Sequence, residues 1–163
     1  MFLRGPSEHE QRITAHLRPL RTACAVLAGA VGLCVVLSWL LVEGLGIRFN
    51  QGVPDAVPIV LTAVAMVLIL LSSRLRTTIL RGSIPRNPAI PIDVEKVLRA
   101  YRKATLASFA TLVAASLLGL LIALLSGIAF YGIFLCIAAA FAMFTRWPRL
   151  VDADRISRGL RSP

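Results

Sequence analysis

The chain has 163 residues, is 57% hydrophobic with a mean hydropathy of +0.78, and carries 18 Lys and Arg against 8 Asp and Glu, a formal charge of +10. A surface this oily excludes an ordinary soluble domain, and oil combined with base fits a polytopic membrane protein. The basic residues flank apolar stretches with no aromatic-interleaved motif, so nucleic acid is not expected as a partner.

Residues 1–21 read as a basic arm. Ser7 as N-cap and Glu10 three residues later form a capping-box pattern. Ile13, Leu17 and Leu20 then share a face opposite Arg12 and Arg18, which predicts a short amphipathic helix over residues 7–20 lying on the membrane surface. Pro19 weakens its last turn. His9 and His16 also share a face, but two histidines do not define a metal site.

Residues 22–42 carry no formal charge and predict the first transmembrane span. The stretch exceeds the 7–15 residues of a signal-peptide h-region, and no small-x-small cleavage site follows. Cys24, Ala28 and Gly32 place small side chains at every fourth position. Leu33 stands before Cys34 where lipoprotein processing wants a small residue. With Cys136, the three cysteines lack CxxC spacing, so no disulfide framework or zinc site is expected and each reads as a small buried residue.

Residues 43–55 form a turn-rich loop with Gly44, Gly46, Gly52 and Pro54. Nothing in the sequence fixes the separation of Glu43 and Asp55, and no ion-binding or catalytic role is expected of them. Residues 56–73 predict the second span, with Pro58 in its first turn, where a missing N–H is harmless. Arg74 and Arg76 are expected to end it.

In the basic loop 74–103, Pro85, Pro88 and Pro91 forbid a regular helix. Asp93 then restarts one as N-cap, with Ile92 and Val97 placed for a hydrophobic staple. The predicted interfacial helix 93–103 sets Val94, Val97, Leu98 and Tyr101 against Lys96, Arg99 and Lys103, and should bend or run into the third span.

Residues 104–145 contain no Asp, Glu, Lys or Arg. This is about twice the roughly 20 residues that cross the hydrocarbon core. The stretch divides at Ser126-Gly127 into spans of about 104–125 and 128–145. Ala107, Thr111, Ala115, Gly119, Ala123 and Gly127 recur at every fourth position and form one small-residue face. Gly132, Cys136 and Ala140 are the counterpart on the next helix. Such faces let helix backbones approach closely in lipid. The expected use is packing within the hairpin; the alternative is a homo-oligomer or membrane-protein interface. Residues 146–163 form a basic tail in which Trp147 suits a membrane interface.

The expected fold is therefore an all-α integral membrane protein: four transmembrane helices as two in–out–in hairpins, with short amphipathic interfacial helices before spans 1 and 3. Every Lys and Arg except Arg48 falls in the arm, the middle loop or the tail. The positive-inside rule then puts both termini in the cytoplasm, in a bacterial inner membrane. Arg18, Arg21, Arg74, Arg76, Arg99, Arg102, Arg146 and Arg149 are candidate contacts for anionic lipid, worth about 1 kcal/mol each near the surface. Leu17-Arg18-x-x-Arg21 and Leu98-Arg99-x-x-Arg102 raise a parallel duplication of the hairpins as a minority reading.

No span holds an ionisable side chain of the kind that ion and proton pathways use. Ser38, Thr62, Ser108, Thr111, Ser116 and Tyr131 supply hydroxyls, structural by default. HExxH, GxSxG, P-loop and GxGxxG motifs are absent. No catalytic, cofactor-binding or metal residue is expected. The expected role is a non-catalytic accessory, assembly or scaffold subunit acting through helix faces and the basic loop. The alternative is a transporter or channel component for a neutral or lipidic solute.

Overall fold

The structure, a computed structural model, describes residues 8–47, 54, 56–83, 94–149 and 151. Four α-helices account for nearly all of them: α1 (Glu8–Trp39), α2 (Ala56–Ser83), α3 (Val94–Ser126) and α4 (Ala129–Thr145), with one π-helical turn, Leu40–Gly44, after α1. No strand occurs among the described residues. The proposed caps Ser7 and Asp93, the Pro85–Pro88–Pro91 cluster, Arg48, Asp55 and the tail beyond Val151 lie outside them.

α3 is the central helix. It buries Val97, Tyr101, Ala104, Phe109, Leu112, Ala115, Ile122 and Ala123 among others, spaced so that one stripe faces inward along its whole length. α2 packs along it, with Ala65, Ser72 and Leu80 buried and Leu61, Leu68, Ile69 and Ile79 half-buried, and its opposite face turns outward. α1 and α4 pack on α3 and on each other, whereas α2 and α4 meet only slightly.

The largest departure from the sequence reading is that the amphipathic segments are not separate surface helices. α1 runs unbroken through Pro19 into the first apolar stretch, and α3 joins residues 94–103 to the third. Their apolar faces pack in protein: Ile13, Leu17 and Leu20 share one buried cluster with Val97, Leu98, Tyr101 and Leu80. Pro19 lies on the exposed side of the helix. Its cost of about 3 kcal/mol is offset by the apolar side chains buried on both sides of it, each worth roughly 1.5–3 kcal/mol.

α2 also continues past Arg74 and Arg76 to Ser83. Neither arginine ends it, because Arg is a good helix former. Three helices thus extend together at one end of the bundle.

The fourth helix is short. α1, α2 and α3 are long and apolar enough to cross a membrane, while α4 has 17 residues. Large exposed apolar side chains run from Val26 to Leu45 on α1 and its π turn, from Val57 to Leu71 on α2, and from Ile128 to Phe144 around α4. At about 1.5 Å per residue each run rises roughly 20–30 Å, close to the thickness of a hydrocarbon core.

The two ends of the bundle close differently. At one, the π turn is followed by Gly46 at φ 63°, and Ile47 N–H donates to the Leu41 carbonyl at 2.9 Å. Gly127, at φ 67°, makes the tight turn between α3 and α4, and Ile128 N–H donates to Ser126 Oγ at 3.2 Å. Gly127 therefore serves as the turn residue ending the small-residue face. The other end carries the basic helix extensions.

Candidate functional site

Two places bring sequence-predicted residues together. The first is the crossing of α3 and α4. A Cβ built on Gly119 would stand 3.1 Å from the Gly132 carbonyl oxygen and 3.1 Å from Leu135 Cβ. One built on Gly132 would stand 2.7 Å from the Gly119 carbonyl oxygen, 2.8 Å from Ala123 Cβ and 3.0 Å from Ser38 Oγ of α1. The small faces of the hairpin do meet, and α1 closes over them.

Ala115, Gly119 and Ala123 are buried here, while Ala107 and Thr111 are half-buried. The Thr111 hydroxyl donates within its own helix, to the Ala107 and Ser108 carbonyls, both at 2.9 Å. On α4, Gly132 and Cys136 are buried but Ala140 is exposed, and Ala139 takes its place. A spacing of four drifts around a helix of 3.6 residues per turn, so a face must shift to three. The same drift corrects the α1 stripe. Cys24 is buried, Ala28 half-buried and Gly32 exposed, with nothing within 4 Å of a Cβ built on it. Cys24, Cys34 and Cys136 are free and buried.

The second place is the basic end. Arg18, Arg21, Arg74, Arg99, Arg102 and Arg149 are exposed there, whereas Arg76 and Arg146 are half-buried. Arg146 Nη1 donates to Ser72 Oγ of α2 and, at 3.4 Å, to Ser108 Oγ of α3. Arg76 Nη2 donates to Tyr101 Oη at 3.5 Å, with its guanidinium 5.6 Å from the ring centroid, in cation–π range. Arg21 Nε donates to the Pro148 carbonyl at 3.2 Å and ties α1 to the segment after α4.

Burial, and then the charge of Arg76, push the Arg146 pKa below its ordinary value. That is the direction for a cation held away from water without an anionic partner. Arg99 pairs with Glu95 at 3.1 Å on the surface. Trp147 turns inward, its ring centroid 6.3 Å from that of Phe109.

Ser72, Thr105 and Tyr101 are the members of this cluster that sequence reasoning did not assign to a site. The signal available was spacing: Ser72 stands one turn before Arg76, and Tyr101, Thr105 and Ser108 follow one face of α3. A cavity of about 210 Å³ lies beside it, lined by residues that include His16, Leu17, Leu98 and Arg102. Leu17 of the first Leu-Arg-x-x-Arg pattern thus shares one hollow with Leu98, Arg99 and Arg102 of the second. Among the described residues no group of three or more His, Cys, Asp or Glu is placed to hold a metal.

An all-helical chain with three apolar helices of spanning length, a shorter fourth and an apolar outer band has the build of a helical membrane protein. Comparison with known protein families, with curated proteins and with solved structures gives no match to this chain.

Proposed function

We propose that the protein crosses a bacterial inner membrane four times with both termini in the cytoplasm, and that it works by contact, as a non-catalytic accessory, assembly or scaffold subunit. The observation that carries this reading is the basic end. Helices α1, α2 and α3 continue past the apolar band, with α1 and α2 packing their apolar faces on α3, and apart from the half-buried Arg76 their described arginines and lysines stay outward. A folded, protruding, cationic platform suits recognition of an acidic protein face or lipid surface. Backbone contact at Gly119 and Gly132 favours a packed interior over a conduit.

A photo-crosslinking residue at Lys103 or Arg99, both exposed, tests the role in intact cells. One discrete crosslinked membrane-protein species, lost when the residue is moved to the lipid-facing Leu70, is expected. A protein that stays monomeric and uncrosslinked from both positions counts against the reading. Solute or lipid flux in reconstituted liposomes above that of empty vesicles would favour the transporter alternative instead.

Orientation has its own test. In a cysteine-free background, Thr78→Cys is expected to react with a membrane-impermeant maleimide only after the cells are opened. Gln51→Cys is expected to react in intact cells. The reverse pattern would invert the topology.

A further inference from the structure

We propose that the basic end of the bundle holds the phosphate of one anionic lipid between Arg76 of α2 and Arg146, the cap residue after α4, with the Thr105 hydroxyl of α3 as a further donor. The inference rests on the membrane reading above, but not on the accessory role.

Three observations converge. First, the guanidiniums of Arg76 in α2 and of Arg146 just after α4 are both half-buried, each against one hydroxyl of α3. Neither has a carboxylate partner among the described residues. Glu95 is taken by Arg99 at the surface, and Glu43 lies at the other end of α1. Each guanidinium carries five N–H donors, more than the Ser72, Ser108 and Tyr101 oxygens accept. Neighbouring cations that have lost hydration repel each other until an anion joins them.

Second, Thr105 is completely buried, and its Oγ1 is a buried side-chain polar atom without a hydrogen-bond partner. Such an orphan is costly and calls for a reason. Tyr101, Thr105 and Ser108 share one face of α3. Arg76 engages the first and Arg146 the last, and Thr105 falls between them in the order of that face. Its O–H is the unused donor that the proposal assigns to an anionic oxygen.

Third, the cluster sits where the oil stops. Leu70 and Leu71 of α2 are exposed about a turn and a half before Arg76 and beside Ser72, and Phe144 is exposed just before Arg146. That is headgroup height for a lipid whose acyl chains run down the seam where α2 and α4 barely touch. A free phosphate has the same oxygen chemistry and no use for the seam, so the experiment separates the two.

The full-length protein, first shown to stay in carbonate-washed membranes, is purified in mild detergent. Native mass spectrometry then follows titration with phosphatidylglycerol, phosphatidylcholine or inorganic phosphate. One phosphatidylglycerol per chain is expected, with phosphatidylcholine much weaker. Loss of one charged hydrogen-bond donor in Arg146→Gln or Arg76→Gln should weaken the lipid by about tenfold or more. The exposed control Arg18→Gln should change it by about twofold or less. Arg146→Lys should restore part of the binding.

Thr105→Val keeps the shape and removes the orphan hydroxyl. It should melt no lower than the parent yet bind the lipid more weakly, a combination that loss of fold cannot produce. It also keeps the test sharp should an arginine variant fail to fold. Equal losses in Arg18→Gln and Arg146→Gln would reduce the site to diffuse surface attraction and overturn the proposal. So would inorganic phosphate that competes as well as the lipid. Protein washed out by carbonate would overturn the membrane reading itself, whereas retained protein without a lipid adduct would overturn this site alone.

Discussion

Gly132→Ala is expected to destabilise the purified protein by about 2 kcal/mol, in the range of core overpacking. Gly32→Ala is expected to leave it unchanged or stabilise it by up to about 1 kcal/mol through helix propensity. The two glycines are alike in sequence, each inside an uncharged apolar helical stretch and followed by a bulky aliphatic residue, Leu33 or Ile133. A methyl group on Gly132 would meet the Gly119 carbonyl oxygen at 2.7 Å, and a backbone oxygen cannot swing aside as a flexible side chain can. A methyl group on Gly32 would meet nothing within 4 Å.

Gly119→Leu should act in the same direction as Gly132→Ala and more strongly, since a whole side chain must enter against the Gly132 backbone and Leu135. Leu118→Ile, a volume-conserving change at a half-buried position, should be nearly silent. Thermal unfolding in one detergent ranks the four variants. If Gly132→Ala and Gly32→Ala melt together, the crossing is not where the structure puts it.

Leu20→Ala is expected to cost about 2–4 kcal/mol, as a large-to-small change in a packed core. Leu33→Ala should stay within about 0.5 kcal/mol, as an exposed substitution. Leu20 is 1% exposed and Leu33 is 58% exposed. The distinction separates two physical pictures. On a membrane-surface helix, Leu20 would touch lipid, and its truncation would weaken membrane attachment while sparing the fold. In the bundle extension it is enclosed by protein beyond the apolar band, where water makes burial favourable in its own right. Denaturation midpoints of the two variants in nanodiscs and in detergent decide between them. A Leu20→Ala as mild as Leu33→Ala would return residues 8–20 to the membrane surface.

Much of the bundle was legible because oil is a simple solvent. A stretch without charge reads as helix, since lipid leaves backbone groups no partner but their own helix. The turn at Ser126-Gly127 was legible because glycine alone sits easily at positive φ. The amphipathic faces around Leu17 and Leu98 were also legible as faces. Their covering was not: apolar side chains in a 3.6 period are equally at home on lipid and against another helix.

The pairing of Arg146 with Ser72 and Ser108, and of Arg76 with Tyr101, was likewise out of reach. These pairs join residues far apart in the chain, and a guanidinium at the end of a span points outward or inward according to what the neighbouring helices offer.

By itself, then, the amino-acid order of this protein determined its all-helical character, the places where its helices enter oil, and the small side chains at its tightest crossing. Each of these follows from local chemistry: charge, hydrophobic length and the volume of a single residue. The tertiary structure alone decided that the basic flanks are continuous with the apolar helices and packed together. It alone decided that the small-residue face shifts from Ala140 to Ala139, and that Arg76 and Arg146 turn inward onto the hydroxyls of Tyr101, Ser72 and Ser108. Those outcomes depend on which surfaces meet, and helix packing sets that through distances no residue pattern encodes.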